Sequence, residues 1–337
     1  MNRDPKTDSG HEEDGRKKSS RSIYRWLLTG ILLAITGWLL SRQDPEFLSQ
    51  ITLDWHILIP AGWLLALYTI LLSERFRILT QLYLGRSVLS TSMFLRSLIV
   101  SRILNGIFPQ AGNIYRGSHL HDRIGLPWSG YLAIVITGMM MDIIVISAVL
   151  GLILIDAHLV RFGPLHFVQS DLSSVLILTL VATIISLLCI FHFIRKYGRF
   201  RHTNREGAEK KPITTLWRSI IVCEHFPGLI LQSLITVALL GAVIWLILIS
   251  MGFDPGLLGA ATLMVAARAA QYIVITPGNL GVRELIYAGV GSQLTIGMGA
   301  AVAASILLRI MNWIVLGTLI LFSEGLSICA EKFRQKS

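Results

Sequence analysis

The chain has 337 residues, of which 53% are hydrophobic and only 15% are charged, and its mean hydropathy is +0.64. Soluble globular proteins carry about 25% charged residues, so this composition excludes an ordinary soluble fold and indicates a membrane protein. The formal net charge of +10 leaves a nucleic-acid-binding protein as an alternative, which the positions of the charges must decide. The three cysteines, Cys189, Cys223 and Cys329, lack the spacing of a zinc site or a disulfide framework.

A membrane-spanning helix needs about 20 mostly apolar residues, and six stretches of the sequence meet or approach that length. They lie at residues 26–40, 57–73, 129–155, 173–194, 229–251 and 299–323. Two further apolar stretches, 88–112 and 257–297, contain arginines and are interrupted by Pro/Gly/Asn clusters. We interpret these two as re-entrant hairpins, which enter and leave the membrane on the same side. The predicted fold is an all-α polytopic membrane protein with about six spanning helices and two re-entrant helical hairpins.

The positive charges test this topology, because the cytoplasmic loops of membrane proteins are enriched in Lys and Arg. In the six-span arrangement, 23 of the 30 Lys and Arg residues fall on the side of the N-terminus and 2 on the opposite side. We therefore predict a bacterial-type plasma (inner) membrane protein with its N- and C-termini in the cytoplasm. Since most of the basic excess reports orientation, we expect no nucleic-acid partner.

The polar ends of the chain complete the predicted domain organisation. Residues 1–22 have mixed charge and no apolar periodicity, so we predict a disordered cytoplasmic tail there. Residues 23–328 are the predicted transmembrane domain, and residues 329–337 a second cytoplasmic tail. The basic loop 195–211 is either a solvated cytoplasmic loop or a contact with anionic lipid headgroups at the membrane surface.

The two interrupted stretches share a pattern. The first reads LRSLIVSRILNGIFPQAGNIYRGSHL from Leu95 to Leu120, and the second reads AARAAQYIVITPGNLGVRELIYAG from Ala266 to Gly289. In each, an arginine precedes a proline, and glycine, asparagine and another arginine follow it. These positions are Arg102, Pro109, Gly112, Asn113 and Arg116 in the first stretch and Arg268, Pro277, Gly278, Asn279 and Arg283 in the second. Short, interrupted segments at corresponding places are typical of inverted-repeat transporters, in which they mark the binding site.

The breaks indicate a site for an anion. A helix that stops at proline and glycine exposes backbone N–H groups, and the N-terminus of the next helix attracts negative charge. We expect Arg116 and Arg283 to add contacts to phosphate or carboxylate oxygens. The structural alternative is that Arg283 pairs with Glu284 and that Arg116 lies at the membrane boundary.

Four other charged residues fall at membrane depth, where they are expected to face the protein interior and find partners. They are Arg102, Asp142, Arg268 and Arg309. Asp142 is expected to neutralise one of the arginines in a structural ion pair; the alternative is a proton-coupling carboxylate at Asp142 or Glu284. No metal or cofactor is expected, because an isolated H-x-H at His119 is a very weak signal and the nucleotide-binding and hydrolase motifs are absent.

The segments FPQAGNIYRGSHL and TPGNLGVRE resemble the signatures of the lysylphosphatidylglycerol synthetase transmembrane region family, also called flippase-like membrane proteins. The resemblance covers roughly residues 20–330. It implies a multi-pass inner-membrane fold. In two-domain members this region is assigned to lipid translocation, while a separate soluble domain transfers lysine from charged tRNA to phosphatidylglycerol. Other members are associated with hopanoid or lipid-linked glycan pathways.

The resemblance implies substrate-binding roles for residues of both motifs. They are Asn105, Pro109, Gly112 and Arg116 in the first and Pro277, Gly278, Gly281, Arg283 and Glu284 in the second, to which the shared pattern adds Asn113 and Asn279. The sequence departs from the family where Asn279 replaces a common second glycine. It departs again where Gly138 and Met139 replace an acidic residue and an arginine.

We expect a lipid translocase that moves a polar- or phosphate-headed lipid between leaflets, through a cavity lined by the two broken hairpins. The alternative is a non-transporting accessory protein, which binds a membrane lipid and presents it to a partner enzyme of an envelope-lipid pathway. Only about 14 residues follow the last predicted span, so we expect no aminoacyltransferase domain and no enzymatic activity.

Overall fold

A computed structural model of the chain describes residues 51–85, 91–108, 110–160, 226–272 and 276–334, together with five helical residues between 30 and 37. The predicted span 173–194, most of the predicted span 26–40, the basic loop 195–211, the N-terminal tail and Pro109 lie outside the described residues. All the regular elements in the described ranges are helices.

Eight α-helices and one short 3-10 helix follow one another in these ranges. They are α1 (Trp55–Leu84), α2 (Thr91–Ile107), α3 (Ala111–Ile124), α4 (Trp128–Val160), α5 (Phe226–Ser250), α6 (Gly256–Tyr272), the 3-10 helix (Pro277–Asn279), α7 (Val282–Gly291) and α8 (Gly297–Arg334). The last helix continues into the segment predicted to be the C-terminal tail.

Four of these helices contain stretches long and apolar enough to cross a membrane, so the chain is a multi-pass membrane protein. The stretches are Trp55–Leu84, Trp128–Gly151, Pro227–Ser250 and Gly297–Ser323. They correspond to four of the six predicted spans. Large apolar side chains remain exposed on the outside, among them Leu257 at 86% and Trp63 at 74%. Such exposure is expected where lipid replaces water as the solvent.

Helix α1 differs most from its prediction, which ended the span at residue 73. The Asp54 carboxylate caps its start by accepting from the His56 N–H, and Gly85 ends it in the left-handed conformation at φ 64°. The Asp54 N–H also donates to the Ser250 carbonyl at 2.9 Å, which joins the start of α1 to the end of α5. Arg75, which follows the predicted end of the span, therefore lies within α1, and its side chain is buried.

The long helices form a bundle in which α1 packs on α4, α5 and α8. Small buried residues such as Ala61, Ala300 and Ala304 let helix backbones approach closely. In a bilayer the lipid tails are as apolar as leucine, so close packing between helices contributes more than removal of apolar surface from water. The bundle is the rigid frame against which the broken segments pack.

The first broken segment consists of α2 and α3, which pack against each other. The chain turns between Ile107 and Ala111, with Gln110 in the left-handed conformation at φ 69°. A Cβ atom on Gly112 would lie 1.7 Å from the Ser101 carbonyl oxygen, so only glycine permits this contact between the two helices.

The second broken segment consists of α6, the 3-10 helix and α7. Gly278 and Asn279 both adopt positive φ, at 55° and 54°, which ends the helical course before α7 begins. A Cβ atom on Gly278 would lie 3.3 Å from the Gly106 Cα atom, at the end of α2. The two breaks therefore meet in space, although about 170 residues separate them in the sequence.

Candidate functional site

A cavity of about 500 Å³ lies where the two breaks meet. Its described polar lining is Tyr68, Arg102, Asn105, Gln110, Asn113, Gln271, Thr276, Asn279, Arg283, Arg309 and Asn312. Its apolar lining includes Leu65, Leu240, Leu280, Leu308, Trp313 and Leu316. Gln110 and Gln271 are also exposed at the surface, so the cavity is reached from outside the protein. A polar cavity with one apolar side is the form expected of a site for an amphiphile.

Two of the lining arginines have no carboxylate partner among the described residues. Arg102 lies 5.3 Å above the centre of the Tyr68 ring, and its Nη1 donates to Thr69 Oγ1 at 3.3 Å. Arg283 lies 5.4 Å from the centre of the Tyr287 ring, and its Nε and Nη2 atoms are buried without a hydrogen-bond partner. Buried guanidinium donors are normally paired, so Arg283 has hydrogen-bonding capacity left for a ligand.

The third lining arginine, Arg309, holds the second break in place. Its Nη2 donates to Glu284 Oε1 at 2.7 Å, and its Nη1 donates to the Gly278 carbonyl at 3.2 Å. The other carboxylate oxygen of Glu284 accepts from the Gly281 N–H at 2.8 Å, at the start of α7. Glu284 therefore pairs with Arg309. The structural alternative had paired it with its neighbour Arg283.

Several backbone donors at the breaks are used within the chain. Four N–H groups, those of Ala111, Gly112, Asn279 and Gly281, donate to Phe108 O, Asn105 Oδ1, Thr276 O and Glu284 Oε2 respectively. The expectation that the breaks offer backbone donors to a ligand is wrong for these four groups. The side chains of Arg283 and Arg309, which line the cavity, have donors without a hydrogen-bond partner.

Asn279 replaces a family glycine without loss of the required conformation, because asparagine tolerates positive φ better than other side chains do. Its Nδ2 donates to the Ala270 carbonyl at 2.9 Å, which ties the break to α6. That bond also fixes the amide orientation, since a carbonyl only accepts. The Oδ1 atom is buried without a partner and is an acceptor beside the cavity.

A second charged group lies behind the cavity and consists of Arg75, Asp142 and Arg268. Arg75 donates to both carboxylate oxygens of Asp142, at 2.5 and 3.0 Å, and to Ser233 Oγ at 2.7 Å. Arg268 lies 3.8 Å from Asp142 Oδ2. The expected ion pair of Asp142 is therefore confirmed, and Arg75 is its nearer partner. The cluster joins helices α1, α4, α5 and α6.

Arg116 does not line the cavity in the described part of the chain. Its Nε donates to the Tyr131 hydroxyl at 3.2 Å, and its guanidinium lies 4.4 Å from the centre of the Phe76 ring. It thus packs α3 against α1 and α4. Among the other predicted residues, the Gly112 and Gly281 N–H groups make internal contacts, and Pro277 begins the 3-10 helix.

The sequence analysis missed Arg75 and Tyr68. The signal was present, because Leu65, Tyr68, Leu72, Arg75 and Leu79 follow one another at intervals of three and four residues. That spacing places all five on one face of a helix. A continuous helical face would have indicated that Arg75 is buried together with its apolar neighbours.

Comparison with known proteins gives one match. A family model described as Lysylphosphatidylglycerol synthase TM region matches residues 24–320. The matched range contains every described residue of the cavity and of the Asp142 cluster. No curated protein and no solved structure matches the chain.

Proposed function

The chain belongs to the lysylphosphatidylglycerol synthase TM region family, and we propose that it is a lipid translocase that moves a polar- or phosphate-headed lipid between the leaflets of the inner membrane. One observation carries the proposal: two broken helical segments, distant in sequence, meet at a cavity lined by Arg102, Arg283 and Arg309. Irregular backbone at membrane depth is tolerated where it is enclosed by protein or lines a polar cavity. Arginines there are expected to have a function.

The size and lining of the cavity support binding of a headgroup. A volume of about 500 Å³ is at the lower end of the range for small-molecule sites, so it accommodates a headgroup but not whole acyl chains. Leu308, Trp313 and Leu316 of α8 provide an apolar side on which the first part of the tails lies. In this proposal the two broken segments are re-entrant hairpins, and their relative movement opens the cavity to each leaflet in turn.

The proposed orientation of the protein in the membrane follows from the positive charges. With Arg75 assigned to the bundle, the excess of Lys and Arg on the N-terminal side becomes 22 against 2. That asymmetry supports cytoplasmic termini. The basic loop 195–211 would then lie on the cytoplasmic side, next to anionic lipid headgroups.

The proposal involves binding and movement, without a catalysed reaction. Among the described residues, Asp142 and Glu284 are the carboxylates beside the lining arginines, and both are held in ion pairs with arginine. Paired carboxylates of this kind support a structural role over proton coupling.

The test is lipid movement in vesicles that contain the purified full-length protein. Fluorescent phosphatidylglycerol and phosphatidic acid in one leaflet are followed by chemical quenching of the outer leaflet. We expect the variant with both Arg102→Ala and Arg283→Ala to lower the rate by about tenfold or more, because both uncompensated cations are lost. Arg123→Ala is the matched control, since Arg123 is an exposed arginine of α3 outside the cavity.

Two outcomes contradict the proposal in different ways. Movement at the wild-type rate in the double variant would show that the cavity is not the path. Wild-type protein that binds lipid but moves none would favour the non-transporting accessory protein, which presents lipid to an enzyme.

A further inference from the structure

Positively charged side chains outnumber negatively charged ones around the cavity. Arg102, Arg283 and Arg309 line it, and no carboxylate lines it among the described residues. Glu284 forms its ion pair with Arg309, and its other oxygen accepts from the Gly281 backbone. Arg102 and Arg283 are left as two cations without an acidic partner in the described part of the chain.

The Asp142 carboxylate does not supply the missing charge. It is shared between Arg75 and Arg268, and the nearer of the two binds both its oxygens. A charge at membrane depth without a counter-ion is strongly unfavourable, and arginine does not escape the penalty by losing its proton. A bound anion with two negative charges would supply the counter-charge that the described residues do not.

The free donors of Arg283 indicate the chemistry of that anion. Nε and Nη2 lie on the same edge of the guanidinium group, and their N–H bonds point in parallel. This edge is the one that contacts two oxygens of a single phosphate or carboxylate. Both atoms are buried and without a hydrogen-bond partner, whereas Arg309 uses its two terminal nitrogens and leaves only its buried Nε without one.

A cationic headgroup does not suit the same cavity. An ammonium group placed there would meet three arginines, and the described carboxylate nearest to them, Glu284, already forms an ion pair with Arg309. Like charges in a site of low dielectric repel strongly. The cavity thus discriminates against aminoacylated lipids as well as against lipids with no charge.

Resting on the proposed function, we infer that the transported lipid has a phosphomonoester or diphosphate head with at least two negative charges. A phosphodiester head with one charge, such as that of phosphatidylglycerol, neutralises only one of the two free arginines. The shared chemistry is the doubly charged phosphate group, and the two sources of it are separated by titration.

The first experiment measures equilibrium binding to the full-length protein in phosphatidylcholine nanodiscs at pH 8. The probes are phosphatidic acid, a polyprenyl-diphospho-sugar, phosphatidylglycerol and lysyl-phosphatidylglycerol. We expect at least one of the first two to bind about tenfold more tightly than phosphatidylglycerol, because it carries one more negative charge beside two arginines. Equal or tighter binding of either of the last two would overturn the inference.

The second experiment changes the charge of the ligand and not the protein. A phosphomonoester loses its second charge below a pKa of about 6, so its affinity should fall about tenfold between pH 8 and pH 5. A diphosphate diester keeps both charges over this range and should bind equally at both pH values. The described titratable groups facing this site are the three arginines and Tyr68, with Glu284, Asp142 and Tyr287 behind them.

Phosphatidylglycerol is the internal control, because its single charge is constant between pH 5 and pH 8. If its affinity changes with pH as much as that of phosphatidic acid, the protein titrates and the inference is overturned. The Arg283→Ala variant should lose most of the preference for two charges over one. Arg123→Ala should keep it.

The binding and transport measurements distinguish failure of this inference from failure of the proposed translocase function. Movement of phosphatidylglycerol with no preference for doubly charged heads would leave the translocase standing and remove this inference. The expected binding preference, without movement of any probe, would support the inference and remove the translocase. Binding of all four probes with equal affinity would contradict the charge argument whatever the transport result.

Discussion

The two groups of arginines near the centre of the protein differ in how their charge is balanced. Arg75 and Arg268 share Asp142 in a cluster whose three residues are each at most 6% exposed. The cavity has three arginines, of which only Arg309 has a carboxylate partner. The first group therefore has one carboxylate for two arginines, whereas the second has one for three; we propose that a ligand supplies part of its counter-charge. Buried charge alone does not identify a site; the cavity differs because its arginines outnumber the described carboxylates by two and line an open space.

The two groups are close to each other in space. The guanidinium groups of Arg102 and Arg268 lie 5.3 and 5.2 Å from the centre of the same ring, that of Tyr68. Both positions are within the range of cation–π attraction. The aromatic ring thus separates the Asp142 cluster from the cavity and contacts an arginine of each.

The largest expected effect is in the Asp142 cluster. Asp142→Ala leaves two arginines buried without their carboxylate, and the loss of one partner of a buried ion pair costs about 3–5 kcal/mol of folding stability. Unfolding of the purified variant in detergent micelles measures the loss. Glu74→Ala is the control, because Glu74 pairs with Arg77 on the same helix α1 but both side chains are partly exposed. Its cost should stay below about 1 kcal/mol.

An equal, small loss in both variants would contradict the distinction between the two groups. It would mean that Arg75 and Arg268 find water or lipid headgroups once the carboxylate is removed.

Arg309 combines the properties of both groups, since it lines the cavity and is paired with a carboxylate, that of Glu284. Arg309→Ala removes the bond to Glu284 and the bond to the Gly278 carbonyl, so we expect a loss of about 2 kcal/mol. Lipid binding should weaken in the same variant. Arg309→Lys is the matched comparison, because it keeps the charge but not the two-pronged geometry. If Arg309→Ala altered binding and left stability unchanged, the Glu284 pair would have no role in holding the break.

Much of the fold was predictable from apolar length and from Pro/Gly interruptions. Four predicted spans correspond to helices, and both breaks lie within the interrupted stretches. The end of α1 was not predictable in this way. The helix continues through Arg75 and Arg77 to its cap at Gly85, because Asp142 and the neighbouring Glu74 neutralise charges that a hydropathy count treats as the end of a span.

The cavity lies at the predicted breaks. The sequence pattern gave Arg116 and Arg283 equivalent roles, but only Arg283 lines the cavity. Arg116 is the sixth residue of α3, whereas Arg283 is the second residue of α7. A difference of four residues moves a side chain about 6 Å along a helix and turns it by about 40°. Spacing from the proline alone does not fix that offset, since it depends on where each helix begins after its break.

The smallest expected change in stability is for Arg283→Ala. The sign of this change is the most direct test of the difference between the cavity arginines and the Asp142 cluster. The variant loses a cation–π contact with Tyr287, worth about 0.5–1 kcal/mol, and removes two buried donors that lack partners, which cost about 1–3 kcal/mol. Without lipid, the protein should therefore be as stable as the wild type or about 1 kcal/mol more stable.

Adding phosphatidic acid should increase the difference in stability between wild-type protein and Arg283→Ala. Wild-type protein gains stability on binding, because a ligand that binds only the folded state shifts unfolding by mass action. Arg283→Ala should gain little, although it unfolds normally. A loss of about 3 kcal/mol in lipid-free Arg283→Ala would place this arginine among the residues that hold the fold, as in Asp142→Ala. The charge at the cavity would then have an internal counter-ion, and its assignment to a ligand would be wrong.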